Sequence, residues 1–240
     1  MDRVSQALRP SGANAGTQRW RHLAFLHWEV EPAPLQALLP PGLTLDLFEE
    51  RAFVGVVPFA MEGVRPRWSP LAFDFLETNV RTYVHRDGRD PAVFFFSLDA
   101  ASWLAVRAAR LGWGLPYHHA EMSMAAAGAK VDYATRRYHG QAHLDVQWKI
   151  GAALGPSAPG TIEHFLMERY LLFSAKGGEL LVGQVHHPAY PAHEAELGRC
   201  QQTLLAAAGI AASGAPDLVH YAPGVDVEVF ALRPVSQPGV

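Results

Sequence analysis

Hydrophobic and polar residues alternate most regularly in residues 75–84, which read FLETNVRTYV. The alternation has the period of two that predicts a β-strand, because successive side chains of a strand point to opposite faces. One face carries a row of polar or amphipathic residues: Glu77, Asn79, Arg81 and Tyr83. Two interpretations fit this row. It forms an ordinary solvated sheet face, or it lines an enclosed pocket.

The segment that follows favours the enclosed pocket. Residues 92–98 (AVFFFSL) are apolar on both faces, which is typical of a strand covered on both sides. The Asp-Gly pair at residues 87–88 indicates a hairpin, so the two strands are predicted to be antiparallel neighbours. Charged groups are seldom buried without a partner or a task. Glu77 and Arg81 lie about 13 Å apart along a strand, so each needs a partner from elsewhere, which could be a substrate.

The rest of the pattern predicts many short strands and a few short helices. The predicted strands cover residues 21–30, 43–48, 51–60, 118–126, 131–138, 142–150, 171–175, 179–187, 218–221 and 225–232. The predicted helices cover residues 32–39, 102–111 and 161–170. Residues 194–208 fit either a helix throughout or a strand to about residue 202 followed by a helix. Because closure removes exposed strand edges, we predict an α+β fold, mainly antiparallel, built as a closed or nearly closed barrel.

The division of the chain into domains is simple. Its 240 residues contain no Ser/Gly-rich or Pro-rich linker. A single barrel domain is therefore expected over residues 20–240. Residues 1–19 lack an apolar pattern and are predicted to form a flexible N-terminal arm.

Composition and charge exclude several classes of partner. The formal net charge is −3 and 18% of the residues are charged, so no basic surface for nucleic acid is expected. No apolar run approaches the roughly 20 residues that span a bilayer, so no membrane partner is predicted. The single cysteine, Cys200, cannot form an internal disulfide, and residues 1–19 lack an apolar signal core. These two features predict a cytoplasmic protein.

Several separated motifs resemble one known family. The segments FLETNVRTYV, VFFFSLDA, GLPYHHAEM and HHPAYP occur in this order within residues 20–232. Their combination resembles the acetoacetate decarboxylase-like superfamily, and in particular its uncharacterised YqjF-like branch. The resemblance implies the barrel of that superfamily, an internal small-molecule pocket and assembly as a homo-oligomer.

The resemblance also implies a change of chemistry. The decarboxylases place two adjacent lysines after a Gly-x-Pro motif, and the first lysine forms a Schiff base with the keto acid. In this chain the Gly-Leu-Pro of residues 114–116 is followed by Tyr117 and His118. Acetoacetate decarboxylase activity is therefore not expected. Glu77 resembles the pocket carboxylate of the superfamily, so an acid/base group remains.

Isolated reactive residues have simpler structural interpretations. Lys130, Lys149 and Lys176 lie beside predicted turns, where a lysine is usually a solvated charge. Cys200 is expected to be a small buried apolar residue and no nucleophile. Asp99, which precedes a predicted helix, is expected to cap it, although the resemblance also implies a place near the pocket mouth.

The twelve histidines raise the possibility of a metal site. One ring from each of the pairs 118–119 and 186–187, together with His193 and Glu77, could form an open site for zinc or iron. The spacing, however, matches no compact metal motif. We therefore predict no metal and no other cofactor.

Two functional hypotheses remain open. In the first, the protein is an enzyme in which Glu77 is a general acid or base with a pKa raised by burial, and Tyr117 or His118 supplies a second proton-transfer group. Arg81 would hold an anionic group through a forked pair of hydrogen bonds. The predicted substrate-binding residues are Arg81, Asn79, Tyr83 and His119. Such an enzyme would be a lyase or hydro-lyase, an isomerase or a hydrolase of small oxo or carboxylic acids.

In the second hypothesis the pocket only binds a small anionic molecule, and the protein is a carrier or a sensor. Convergence of Glu77, Arg81, Tyr117 and His118 on one place would favour the enzyme. A pocket lined only by phenylalanine and leucine would favour the carrier.

Overall fold

The computed structural model of the protein describes residues 1–103 and 114–235. Within these ranges the strands are β1 (Gly16–Val30), β2 (Thr44–Leu45), β3 (Ala52–Pro66), β4 (Phe73–Arg86), β5 (Arg89–Ala100), β6 (Tyr117–Ala127), β7 (Lys130–Arg137), β8 (His143–Gly155), β9 (Leu171–Lys176), β10 (Glu179–His186), β11 (Ala192–Gln202), β12 (Leu218–Val229) and β13 (Arg233–Pro234). The helices are α1 (Pro32–Ala37), α2 (Ile162–Met167) and α3 (Leu204–Ala207), with a 3₁₀ turn at Ser5–Ala7. None of these described helices is long and apolar enough to cross a bilayer.

The described strands form one mixed sheet that closes on itself. Their order is β13-β10-β9-β5-β6-β7-β8-β11-β12-β1-β3-β4-β2, and further pairings join β4 to β5 and β10 to β12. Strand β5 is parallel to β6 and to β9, and the other pairings among the described strands are antiparallel. The extra pairings make two rings in this part of the chain, which share β12, β1, β3, β4 and β5. This architecture confirms the predicted α+β, mainly antiparallel, nearly closed barrel.

Most predicted elements are present, with differences at their ends. The ambiguous segment is strand β11 followed by helix α3, and Gly209 with a φ of 77° ends that helix. The two strands predicted near the C-terminus are one continuous strand, β12, and the strand predicted over residues 43–48 shortens to β2. The helix predicted over residues 102–111 lies, from residue 104 onward, outside the described residues.

The shared strands separate two apolar interiors. One core cluster contains Leu26 of β1 and Val80 of β4 together with Trp148 of β8. A second core cluster contains the neighbouring Phe25 of β1 and Phe59 of β3. Because successive side chains of a strand point to opposite faces, each shared strand sends alternate residues into the two interiors.

Residues 1–19 contact the barrel at several points. Residues 16–19 belong to β1, whose start was predicted at residue 21. Arg3 forms an ion pair with the buried Asp46, which also accepts a hydrogen bond from Arg169 at 2.7 Å. Arg9 is 2.6 Å from Glu228 of β12. The flexibility of this segment stays a prediction.

Gly55 of β3 allows the close packing of His27 and Arg81, and its replacement is the first test of the fold. It is paired across the sheet with His27 of β1 and with Arg81 of β4. A Cβ atom at this position would lie 3.1 Å from Cδ2 and Nε2 of His27. We expect Gly55→Ala to lower the free energy of unfolding by about 1–3 kcal/mol, because the buried ring must shift.

The measurement is urea unfolding followed by fluorescence, and the matched control is Gly198→Ala. An added Cβ at the exposed Gly198 would meet mainly the end of the flexible Gln147 side chain, at 2.9 Å. The control should therefore change stability by about 0.5 kcal/mol or less, as most surface substitutions do. Equal effects of the two substitutions would contradict the packing described here.

Candidate functional site

The polar row of β4 is buried. The exposed fractions are 4% for Glu77, 5% for Asn79, 8% for Arg81 and 0% for Tyr83. The interpretation of this row as a solvated sheet face is therefore wrong. The row shares its face with Val57 and Phe59, the cross-strand neighbours of Asn79 and Glu77 on β3, so it points into the interior that holds the second core cluster.

Glu77 and Tyr117 form a direct hydrogen bond in this interior. The Tyr117 hydroxyl donates to Oε2 of Glu77 at 2.8 Å. Burial raises the pKa of Glu77, the bond from Tyr117 lowers it and the nearby Asp99 raises it, so that the resulting pKa is about 7. Burial and the adjacent Glu77 raise the pKa of Tyr117 well above its usual value. Near neutral pH the pair thus joins a phenol to a carboxyl that is close to half ionised.

A tight turn brings Tyr117 to this position. Gly114 has a φ of 63°, a left-handed conformation that favours glycine, and the Tyr117 amide donates to the Leu115 carbonyl at 2.8 Å. The turn places Tyr117 at the start of β6, in register with Leu98 of β5, which is itself paired with Asn79 of β4. The first residue after the Gly-Leu-Pro segment therefore contacts the carboxylate of β4.

Arg81 is held by main-chain and side-chain oxygens. Its Nη2 donates to the Leu166 carbonyl of α2 at 2.9 Å and lies 3.4 Å from the Tyr83 hydroxyl. The guanidinium carbon is 5.4 Å from the ring centre of Phe25, a cation–π distance. Its buried Nε has no hydrogen-bond partner among the described residues. One donor of this cation is thus available to a ligand.

Tyr83 and His27 support Arg81. The Tyr83 hydroxyl donates to the Leu166 carbonyl at 2.8 Å, so it accepts from Nε2 of His27, which is 2.6 Å away. Burial keeps the pKa of His27 well below its ordinary value, and Arg81 and His220 act in the same direction. Because protein groups already engage the Tyr83 hydroxyl, its geometry suits a positioning role for Arg81 more than the predicted contact with substrate.

Helix α2 supplies the carbonyl that anchors this group. Thr161 caps the helix as predicted, and its hydroxyl accepts from the His164 amide at 3.3 Å. The helix ends after six residues, at Met167. Carbonyls of a last turn have no partner within the helix, so the Leu166 carbonyl is available to Arg81 and Tyr83.

Asn79 lies between Glu77 and Arg81 on the same face of β4. Its side chain is buried, and its Oδ1 has no hydrogen-bond partner among the described residues. Buried polar atoms are nearly always paired in folded proteins. The unpaired Oδ1 of Asn79 and Nε of Arg81 therefore mark one wall of the interior as a candidate binding surface.

One of the two predicted histidines, His118, lies apart from this wall. His118 follows Tyr117 in β6, so the two side chains point to opposite faces, and His118 is in register with Asp99. The ring centre of His119 is 4.5 Å from that of Tyr138. Of the predicted residues, Glu77, Asn79, Arg81, Tyr83 and Tyr117 share one interior, and His118 does not join them.

Asp99 forms an ion pair where a helix cap was expected. Its Oδ1 accepts from Nε of Arg137 at 2.7 Å, and Nη2 of the same arginine donates to the Ser97 hydroxyl at 2.7 Å. Burial raises the pKa of Asp99 to about 6, against the opposing effect of Arg137. This pair lies on the other face of the β4–β5 wall from Tyr117. The charge of the Asp99 carboxylate raises the pKa of Glu77 across this wall.

The remaining reactive residues have ordinary surroundings. Lys130 and Lys176 are exposed, and Nζ of Lys149 lies 4.0 Å from Glu196 at the surface. Burial raises the pKa of Cys200 to about 11, which disfavours the thiolate. Among the described residues no group of three or more His, Cys, Asp or Glu side chains could hold a metal ion.

Solved structures share this architecture at low sequence identity. The enduracididine biosynthesis enzyme MppR, complexed with pyruvate, aligns with a TM-score of 0.62 and 11% identity, over 94% of this chain and 92% of that chain. The acetoacetate decarboxylase of Legionella pneumophila subsp. pneumophila aligns with a TM-score of 0.60 and 15% identity, over 95% of this chain and 92% of that chain. At such identities the likeness shows an acetoacetate-decarboxylase-like fold and carries no activity with it.

Sequence comparison gives a relationship that is much closer. The uncharacterized protein YqjF of Bacillus subtilis (strain 168) is 35% identical over 233 residues, which cover 93% of this chain and 94% of that protein. A family model described as "uncharacterized conserved protein", DUF2071, matches residues 17–226. The matched region contains the whole of β4, the turn before β6 and the helix α2. The chain therefore belongs to the DUF2071 family, the YqjF-like branch of the acetoacetate-decarboxylase-like fold.

Proposed function

We propose that the protein is an acid/base enzyme that acts on a small oxo or carboxylic acid without a Schiff-base lysine. The observation that carries this proposal is the buried hydrogen bond from Tyr117 to Glu77, whose pKa is raised to about 7. A general acid or base is most effective when its pKa lies near the working pH. Strongly perturbed carboxyls are also concentrated at functional sites.

The binding half of the proposed site is the wall formed by Arg81 and Asn79. The free Nε of Arg81 donates to a carboxylate or carbonyl oxygen of the substrate, and Oδ1 of Asn79 accepts from a substrate donor. A buried cation that makes no ion pair with Glu77 favours an anionic or strongly polarised ligand. The fold neighbour MppR is complexed with pyruvate, a ligand of the chemical class that this wall suits.

The proposed chemistry begins with removal of a proton from the carbon next to the substrate carbonyl. Ionised Glu77 takes this proton, the C–H electron pair forms a carbon–carbon double bond, and the carbonyl oxygen becomes an enolate. The donor of Arg81 stabilises the developing negative charge. Protonated Glu77 then returns its proton to either end of the enolate, or gives it to a β-hydroxyl group that leaves as water, which corresponds to an isomerase or a hydro-lyase.

A proton-exchange assay tests this proposal directly. The native protein is expected to accelerate the exchange of the C3 hydrogens of 2-oxobutyrate in D2O, followed by ¹H NMR. Because Glu77→Gln removes the base, we expect the exchange rate to fall by a factor of about 10² or more. Tyr117→Phe, which removes the hydrogen bond to the base, should change the pH dependence of the rate as well as its size.

The matched control is Glu121→Gln, since Glu121 is an exposed carboxylate on the same strand as Tyr117. It should leave the exchange rate unchanged. Exchange at the native rate in Glu77→Gln would refute the assigned base. Ligand-induced stabilisation that depends on Arg81, with no exchange by the native protein, would favour the carrier hypothesis instead.

The raised pKa of Glu77 also predicts a pH dependence of stability. Glu77 has a pKa of about 7 in the folded protein against an ordinary value of 4.5, so between these values the folded state binds more protons than the unfolded state. Stability from this group is therefore present below about pH 4.5 and is lost as the pH rises through 7. The shift corresponds to roughly 3 kcal/mol.

The test compares the unfolding free energies of the native protein and Glu77→Gln from pH 4.5 to 8. Glutamine does not ionise, so the native protein should lose stability relative to the variant as the pH rises. Asp99 titrates in both proteins and largely cancels in the difference. If the difference in unfolding free energy between the two proteins does not change with pH, the raised pKa of the buried Glu77 carboxyl is contradicted.

A further inference from the structure

His187 is a buried histidine with one unused nitrogen. Its Nδ1 donates to the Pro188 carbonyl at 2.8 Å, so in the neutral ring Nε2 carries a lone pair and no hydrogen. The residue is only 2% exposed, so this Nε2 is buried. It nevertheless has no hydrogen-bond partner among the described residues. Burial lowers the pKa of His187 to about 4, so the lone pair remains available at neutral pH.

The ring of His187 is fixed by aromatic neighbours. Its centre lies 4.6 Å from that of Tyr170 in a stacked arrangement and 4.7 Å from that of Tyr190. Both tyrosines are tied to Glu168, which accepts from the Tyr170 hydroxyl and, at 2.9 Å, from the Tyr190 amide. A ring held on two sides presents its nitrogen in a constant direction, as a binding group requires.

Aromatic contacts connect His187 to the proposed site. Tyr190, which contacts His187, is 5.3 Å from Phe25, and the guanidinium of Arg81 lies over that same phenylalanine. His187 also lines an open cleft of 590 Å³. The same cleft carries arginines at positions 9, 19 and 65 against carboxylates at 226 and 228.

We propose that His187 is a specificity-determining residue of the site, which accepts a hydrogen bond from a hydroxyl group of the ligand. The preferred ligand is then a small oxo or carboxylic acid that also carries a hydroxyl group, and its carboxylate is held by Arg81. This inference rests on the proposed function for the position of the carboxylate.

The donor and acceptor chemistry selects the hydroxy acid among related ligands. A carboxylate or carbonyl oxygen can only accept, so it satisfies Nε of Arg81 but cannot satisfy Nε2 of His187. A hydroxyl group can donate to that nitrogen. An acid that carries no hydroxyl group would leave the buried nitrogen unpaired, which is unfavourable.

The experiment measures the affinities of matched acids that differ by one hydroxyl group. The probes are 3-hydroxybutyrate against butyrate, and lactate against propionate, titrated by calorimetry into the native protein and into His187→Phe. Phenylalanine keeps an aromatic ring between the two tyrosines and removes Nε2. The native protein should bind each hydroxy acid about tenfold more tightly than its partner, because one hydrogen bond contributes about 1.4 kcal/mol. In His187→Phe this ratio should fall to about one.

Arg81→Met separates this inference from the proposed function. This substitution should weaken the binding of all four acids to a similar degree. If it leaves every affinity unchanged, the proposed site is wrong. If it weakens all four acids but His187→Phe keeps the tenfold ratio, the site stands and the role of His187 is wrong. Equal affinities for hydroxylated and unsubstituted acids in the native protein would also overturn it.

A spectroscopic measurement on the native protein does not depend on the folding of any variant. In ¹⁵N NMR of histidine-labelled protein, His187 should show the tautomer with a protonated Nδ1. Its Nε2 resonance should move when 3-hydroxybutyrate is added and stay in place when butyrate is added. A shift of equal size with both acids would count against the hydroxyl contact.

Discussion

A strand that is buried on both faces imposes the main constraint on this protein. Strand β4 is hydrogen-bonded to β3 on one side and to β5 on the other, and both rows of its side chains point into an interior. One row is made of Thr78, Val80 and Thr82, which suits an ordinary core. The other contains Glu77, Asn79 and Arg81, which cannot reach water and must find partners on other elements.

Those partners come from segments that are distant in the chain. Tyr117 of β6 donates to Glu77, and the Leu166 carbonyl at the end of α2 accepts from Arg81. The satisfaction is incomplete, because Asn79, Arg81 and His187 each keep one polar atom without a hydrogen-bond partner among the described residues. Unpaired buried groups destabilise a fold, so two such atoms next to each other on the polar row of β4 are a structural sign of a ligand site.

The resemblance to the decarboxylases implies a shared fold with a different residue at one position. The decarboxylases carry an amine nucleophile after Gly-x-Pro, and in this chain the residue after Gly-Leu-Pro is Tyr117, which is hydrogen-bonded to Glu77. A phenol cannot form an imine. A phenol of raised pKa does stay protonated and can donate a hydrogen bond to a carboxylate. The barrel still brings this residue to β4, because the turn at Gly114 and the pairing of β6 with β5 are features of the backbone.

The strands, the barrel class and the polar row of β4 could be predicted from the chain alone, because these follow from local periodicity and turn residues. The resemblance to the decarboxylases also implied that Tyr117 stands where they carry a lysine. The sequence left open whether the row was solvated, since a period of two has the same form in a surface strand and in a strand buried on both sides. It grouped His118 with Tyr117, and the register with β5 separated them. Tyr83 depends on the Leu166 carbonyl, 83 residues away, and His27 depends on Tyr83, 56 residues away. The ring of His187 is stacked on Tyr170, which directly precedes β9. These roles became visible only in the folded molecule, because hydrogen bonds and ring contacts between separate segments leave no pattern along the chain.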